Sequence, residues 1–292
     1  ILDFEPDLVQ LHLPNPLAAA AWLILENLPG ADLPPMAVWY HADITRQRLG
    51  RVLVQPLLDR CLDRAAGISV SSRELAETSP ILRAHRDRVE VVPFGIDSSP
   101  WDQVEPRGEG AFLFVGRLVP YKGLRVLFEA LAAVGEAELV VVGTGPQREE
   151  LDGLATELGI EGRIRFAGEL SRDQLAMEMG EAKALVLPSL DRSETFGLVQ
   201  LEAMAAGLPV IVTDPGTGVA AVGIPDETCL VIPPGDAEAL GRAMQTLLED
   251  PRRAGAMGAA GRRLFQDRFD RDAMITPLLA WYENLLRDEV SA

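Results

Sequence analysis

From residue 111 onward, short apolar runs alternate with longer stretches in which apolar residues recur every three or four positions. The run Ala111-Phe112-Leu113-Phe114-Val115, stopped by Gly116, has the pattern of a buried parallel strand. The same reading predicts strands at 138–142, 163–166, 184–187 and 209–212. Helices are predicted at 122–134, 146–158, 172–180 and 198–206, with Gly, Pro or Asp at most of the junctions. Such a βα order implies a doubly wound parallel sheet. Earlier in the chain, 8–11, 37–39, 67–70 and 89–92 are strand candidates separated by helical stretches, which predicts a second sheet of the same kind. The expected fold class is therefore α/β with two Rossmann-like domains. The chain opens at Ile1 on an apolar-acidic run without an initiating Met, so the first domain is expected to be incomplete at its start.

Between the halves, Pro93-Phe94-Gly95-Ile96-Asp97 leads into the polar segment 102–110, which reads as a linker. The expected division is 1–95, 96–270, and a terminal helix over 271–292 that packs back on the first domain. That helix places Ile275, Leu278, Leu279, Tyr282 and Leu285 on one face. The apolar stretch 17–25 is too short to span a bilayer and reads as a buried helix. No signal peptide or transmembrane segment is visible.

Composition narrows the function classes. A chain of 292 residues fits two domains, and 48% apolar with 5% aromatic residues suits a soluble aliphatic protein. A net charge of −17 with no basic stripe argues against a nucleic-acid partner and against strong docking on an anionic membrane. Cys61 and Cys229 stand far apart without metal-ligand spacing, which suits a reducing cytosol. Asp270-Arg271-Asp272 has the spacing of a metal-binding acid pair but sits among helical charges, where a solvated surface is the simpler reading. No metal is expected.

Two constellations carry candidate chemistry. Gly116-Arg117-Leu118 with Lys122-Gly123 follows a strand and opens a helix, where amides and cations can hold an anion such as a diphosphate. Only Lys122 and Lys183 break the use of Arg, so the compact charge of Lys122 looks selected; a surface Arg and Lys near a turn is the alternative. The second constellation is Glu194-Thr195-Phe196-Gly197-Leu198-Val199-Gln200-Leu201-Glu202. Here Glu194 precedes a helix and can face a sugar, Glu202 lies inside it and can accept ribose hydroxyls, and Gly197 permits close backbone approach. Capping and solvation are the alternative. Gly143-Thr144-Gly145 lacks the third glycine of a dinucleotide fingerprint, and 116–123 lacks the Gly-Lys-Ser/Thr of a P-loop.

The second constellation resembles the E-x7-E signature of retaining GT-B glycosyltransferases of the large family 4 group, and the first resembles their G-R-x-x-x-x-K-G pattern. Val142-Gly143-Thr144-Gly145-Pro146, Ile164-Arg165-Phe166-Ala167-Gly168 and Ala203-Met204-Ala205-Ala206-Gly207-Leu208-Pro209-Val210 resemble further segments of that family, so the match covers most of 111–235. Val9-Gln10-Leu11-His12 resembles a strand ending in an active-site His, and Trp39-Tyr40-His41-Ala42-Asp43-Ile44 a second His-bearing turn; a satisfied strand-end histidine is the alternative for each. The resemblance implies transfer of a sugar from a nucleotide diphosphate to an acceptor hydroxyl, without a metal or other cofactor. Arg117 and Lys122 would stabilise the departing diphosphate, Glu194 and His12 would bind the transferred sugar, and Glu202 the ribose. Gly116, Phe196, Gly197 and Leu198 would complete the donor-binding set. Arg117→Ala or Lys122→Ala is expected to nearly silence transfer while leaving folding intact.

Segments 41–44 and 214–219 resemble bacterial polysaccharide mannosyltransferases, which implies GDP-mannose in preference to a UDP-sugar and a glycan or lipid-linked acceptor. A cytoplasmic protein with peripheral contact at the inner membrane face is the matching location, and domain closure around the substrates is expected. A nucleotide-sugar epimerase of the same fold and a noncatalytic nucleotide-sugar-binding subunit stay open beside the transferase. The family's Gly-rich N-terminal loop is not visible before Leu8.

Overall fold

The computed structural model describes residues 4–30, 32–44 and 48–291, with the backbone alone at 48–53 and 288–291. The chain divides into two compact units: residues 1–94 with 274–292, and residues 95–273. Among the described residues, no helix is long and apolar enough to cross a membrane.

The first unit is built on a four-stranded parallel sheet in the order β1-β2-β3-β4: β1 Val9–Leu13, β2 Met36–Tyr40, β3 Gly67–Val70 and β4 Val89–Val91. Between the strands run α1 Pro16–Glu26, α2 Arg48–Arg64 and α3 Arg73–Thr78. Asn15 caps α1 by accepting from Ala18 N at 3.1 Å, and Pro16 supplies the fixed φ of a first helical residue. The expectation that 17–25 forms a buried helix needs correcting. Ala19 and Trp22 are buried, whereas Leu17 and Ile24 are 82% and 64% exposed. At about 100° per residue, a helix that turns Ala19 and Trp22 inward carries Leu17 and Ile24 to the opposite side.

The last helix, α11 Arg271–Ser291, contributes residues 274–291 to this unit. It packs through Trp281 and Leu285 over Gly67 of β3, where a methyl group would come within 2.9 Å of Trp281 and 2.8 Å of Leu285. The expected apolar face is corrected at one position: Leu279 is exposed and Trp281 is buried. Leu279 stands about 100° from its neighbour Leu278, enough to leave the packed stripe.

The second unit holds a six-stranded parallel sheet in the order β10-β9-β8-β5-β6-β7. Its strands are β5 Phe112–Val115, β6 Leu139–Val142, β7 Ile164–Gly168, β8 Leu185–Leu187, β9 Val210–Thr213 and β10 Cys229–Ile232. The chain runs outward from β5 to β7, then returns to the other side of β5 and runs outward again from β8 to β10. Strands this buried read as near-continuous apolar runs because helices cover both faces. Those helices are α4 Leu124–Ala133, α5 Arg148–Glu157, α6 Arg172–Glu181, α7 Leu198–Ala205, α8 Val219–Val222, α9 Ala237–Glu249 and α10 Pro251–Arg268. Ser171 and Gln174 form a reciprocal capping box on α6, while Asp236 and Asp250 cap α9 and α10. The core joins Phe112 and Phe114 of β5 to Leu127, Phe128 and Leu131 of α4 and to Leu240, Met244 and Leu247 of α9.

Candidate functional site

Because β5 and β8 are neighbours although β6 and β7 intervene in sequence, their C-terminal ends form the topological switch point of the second sheet. A ligand-binding crevice is favoured there, where the two flanking loops diverge. The loop after β5 carries Gly116, Arg117 and Lys122, and the loop after β8 carries Glu194, Phe196 and Gly197. Leu190 N donates to Tyr121 O at 2.7 Å, which ties the two loops together. On the other flank, Gly116 N donates to Val142 O and Leu118 N to Thr144 O, so the loop after β6 supports the loop after β5.

These connections bring opposite charges into contact. Lys122 Nζ lies 2.5 Å from Glu194 Oε2, and the two side chains are 12% and 10% exposed. Ser189 Oγ donates to the same carboxylate oxygen at 3.0 Å. The Glu194 backbone is held as well, since Thr217 Oγ1 donates to its carbonyl at 2.6 Å. Thr213 Oγ1 in turn donates to Ser189 O. Lys122 thus sits in a buried ion pair rather than as a free cation, which corrects the expectation that its removal leaves folding untouched: a buried carboxylate without its partner is costly. Arg117 differs. It is exposed, and among the described residues its guanidinium has no hydrogen-bond or ion-pair partner.

Gly197 caps α7 at φ 72°, a left-handed conformation that side chains disfavour. Leu198, the first residue of the helix, is 46% exposed. Phe196 is buried, with its ring edge-on to Phe269 at 6.2 Å, and its carbonyl accepts from Gln200 Nε2. What Phe196 can offer a ligand is therefore backbone. Glu202, one helical turn further on, is partly buried. Burial raises its carboxyl above the ordinary value, and the charge of Arg172 partly opposes this.

In the first unit, the strand ends gather a layer of rings that lie nearly parallel to one another. His12 Nδ1 and His41 Nε2 are 2.7 Å apart, with the ring planes 8° from parallel. Trp39 and Phe94 stack beside them, 5.3 Å between centroids. Gln10 Nε2 lies 3.3 Å from His12 Nε2, so both ring nitrogens of His12 have partners. Burial, and then the neighbouring His12, hold His41 below the usual histidine value. The turn after β2 is fixed by Asp43, whose carboxylate accepts from Tyr40 OH at 2.9 Å and from Ser79 Oγ at 2.6 Å. Sequence reasoning missed Ser189, Thr213 and Thr217 around Glu194, and Gln10 beside His12. Only Gln10 carried a signal, because positions two apart on a strand share a face.

The profile of the family described as "Glycosyl transferases group 1" matches residues 96–264. The D-rhamnosyltransferase WbpZ of Pseudomonas aeruginosa is 34% identical over 277 residues, covering 92% of this chain and 71% of that protein. The O-antigen chain mannosyltransferase C of Escherichia coli is 31% identical, covering 97% and 76%. Among solved structures, the sucrose-phosphate synthase from Thermosynechococcus elongatus superposes with a TM-score of 0.84 at 26% identity, covering 98% of this chain and 75% of that one. With two Rossmann-like units of the GT-B class and a matching profile across most of the second, the chain belongs to the group 1 glycosyl transferases.

Proposed function

We propose that this transferase moves a hexose from a nucleotide diphosphate sugar to a hydroxyl of a glycan or lipid-linked acceptor, with retention of anomeric configuration. The observation that carries the reading is the Lys122–Glu194 pair at the switch point, one cation and one hydroxyl-accepting carboxylate in contact and both mostly buried. In the bound state Lys122 and Arg117 stabilise the diphosphate as its bond to the sugar C1 breaks, the part that a metal ion plays in other transferases. Glu194, shared between Lys122 and the sugar, accepts hydroxyl hydrogen bonds. The N–H groups at Gly197 and Leu198 and the loop at Gly116 approach the phosphates, and Glu202 accepts from the ribose. The acceptor oxygen bonds to C1, and its proton leaves on the released diphosphate. His12 belongs to the proposal through the family resemblance, with His41 as its bonded neighbour.

Two relatives are named for mannose and for D-rhamnose, which is mannose without its 6-hydroxyl. That supports a manno-configured sugar, GDP-mannose before a UDP-sugar, and a role in polysaccharide or glycolipid synthesis at the cytoplasmic face of the membrane. The test is product analysis after incubation with GDP-mannose or UDP-sugars and a mannoside acceptor. A new α-glycoside supports the reading. An epimerised donor, or binding without turnover, overturns it in favour of an epimerase or a binding subunit. Thermal shifts with GDP, UDP and ADP then rank the base, because a ligand held only by the folded state stabilises it.

A further inference from the structure

Gln10 and His12 share one face of β1, and by register that face continues through Trp39 of β2. The amide of Gln10 has two ends in different surroundings. Its Nε2 is 3.3 Å from His12 Nε2, while its Oε1 is buried without a partner. Exchanging the two ends would place an NH2 with two donors in the position where one carbonyl now lacks a partner. Because each stranded buried donor carries a desolvation cost, the arrangement with nitrogen toward His12 is favoured.

Hydrogen-bond direction then follows along the chain of rings. Gln10 Nε2 can only donate, so His12 Nε2 carries the lone pair and the neutral ring keeps its proton on Nδ1. Nδ1–H donates across 2.7 Å to His41 Nε2, which therefore accepts. His41 in turn keeps its proton on Nδ1. Burial together with the neighbouring His12 disfavours a charge on His41, which keeps this polarity that of neutral rings.

We infer that Gln10 is a positioning residue that sets the proton polarity of the His12–His41 pair, acting on the second ring through the first. Its significance for transfer rests on the proposed function, in which His12 takes part. The wiring itself can be tested without turnover. An acceptor-only group at position 10 reverses every step: Gln10→Glu calls for Nε2–H on His12, which makes His12 Nδ1 an acceptor and puts the proton of His41 on Nε2.

The experiment is nitrogen NMR of the full chain with 15N-labelled histidine, recorded at about pH 9, above the usual histidine range. The wild type, Gln10→Glu and Gln10→Leu are compared, and His85, outside the ring layer, serves as internal reference. The expected spectrum has Nδ1–H on both His12 and His41 in the wild type and Nε2–H on both in Gln10→Glu. In Gln10→Leu, His12 loses its single preference while the His85 signals stay in place, which shows an intact fold. Unchanged ring protonation in Gln10→Glu, a His41 that does not follow His12, or Nε2–H rings in the wild type would each overturn the inference. Reversal in Gln10→Glu alongside a wild-type chain that transfers no sugar would sink the functional reading and leave the wiring standing.

Discussion

Lys122 and Glu194 are 72 positions apart in sequence, yet Nζ and Oε2 meet at 2.5 Å at the C-terminal edge of the second sheet. Each side chain buries the other's charge. Removing one partner leaves the other without compensation in a poorly solvated place, a change that typically costs about 3–5 kcal/mol. Lys122→Met and Glu194→Gln are each expected to lower the free energy of unfolding by about that amount, read as a lower denaturant midpoint, and to abolish transfer. The double variant removes both charges and is expected to regain most of the stability while staying inactive. A double variant destabilised by the sum of the two single losses would show that the pair is not coupled, a point that chemical denaturation of all four proteins settles.

Arg117 provides the contrast. Exposed, and without a bonded partner among the described residues, it contributes little to the resting fold, so Arg117→Ala is expected to keep the wild-type melting temperature. Its loss should appear only in turnover, lowered about 10²–10³-fold, the usual magnitude for deleting one electrostatic contact to a developing charge. Steady-state kinetics with saturating donor provides the check, and a variant within a few-fold of wild type would remove Arg117 from the mechanism.

The pattern of residues made much of this site legible. Phe112 to Val115 announces a buried strand, Gly116 ends it, and the eight-residue spacing from Glu194 to Glu202 marks a helix start with an acid on either side. What the pattern does not encode is who meets whom. Lys122 reads as a cation for an anion at a helix start, but only the β5–β8 adjacency shows that it meets Glu194, and Ser189 and Thr217 have no local signature because their roles come from tertiary contact. Periodicity also identifies an apolar stripe without saying which side is covered, which is why Leu17, Ile24 and Leu279 are exposed. The four-residue apolar run Cys229-Leu230-Val231-Ile232 before Pro233 is a readable strand signal for β10.

Glu202 gives the fold a pH dependence of known sign. Burial raises its carboxyl above the ordinary 4.5, so the folded chain holds that proton more tightly than the unfolded chain. The resulting stability is fully present below the unfolded value and is lost as pH rises through the raised one. Glu202→Gln has no proton to lose. It is therefore expected to gain in melting temperature over the wild type as pH climbs from about 4 to 7, while binding nucleotide more weakly for want of a ribose acceptor. Arg172→Ala, which removes the opposing charge, is expected to reduce stability at neutral pH. A Glu202→Gln variant with no advantage at pH 7 over pH 4 would show that the carboxylate is solvated in the folded chain.

Gly143 tests how the two loops beside the switch point are held. Its φ is 122°, and a methyl group there would run into the carbonyl oxygen of Gly116, the residue whose own N–H donates to Val142 O. The neighbour is backbone, so it cannot rotate aside as a flexible side chain could. Gly143→Ala therefore combines an unfavourable dihedral, about 1–3 kcal/mol, with separation of the loops after β5 and β6. Because Gly116 leads directly into Arg117, the displacement reaches the proposed phosphate contacts, and donor affinity should fall together with stability. Gly153, in α5 with open space around it, is the control: Ala there meets nothing within 4 Å and should be neutral or slightly stabilising. Calorimetric binding of GDP to both variants, alongside their melting curves, decides the matter. Wild-type affinity in a destabilised Gly143→Ala would mean that the loop after β5 holds its shape without support from the loop after β6.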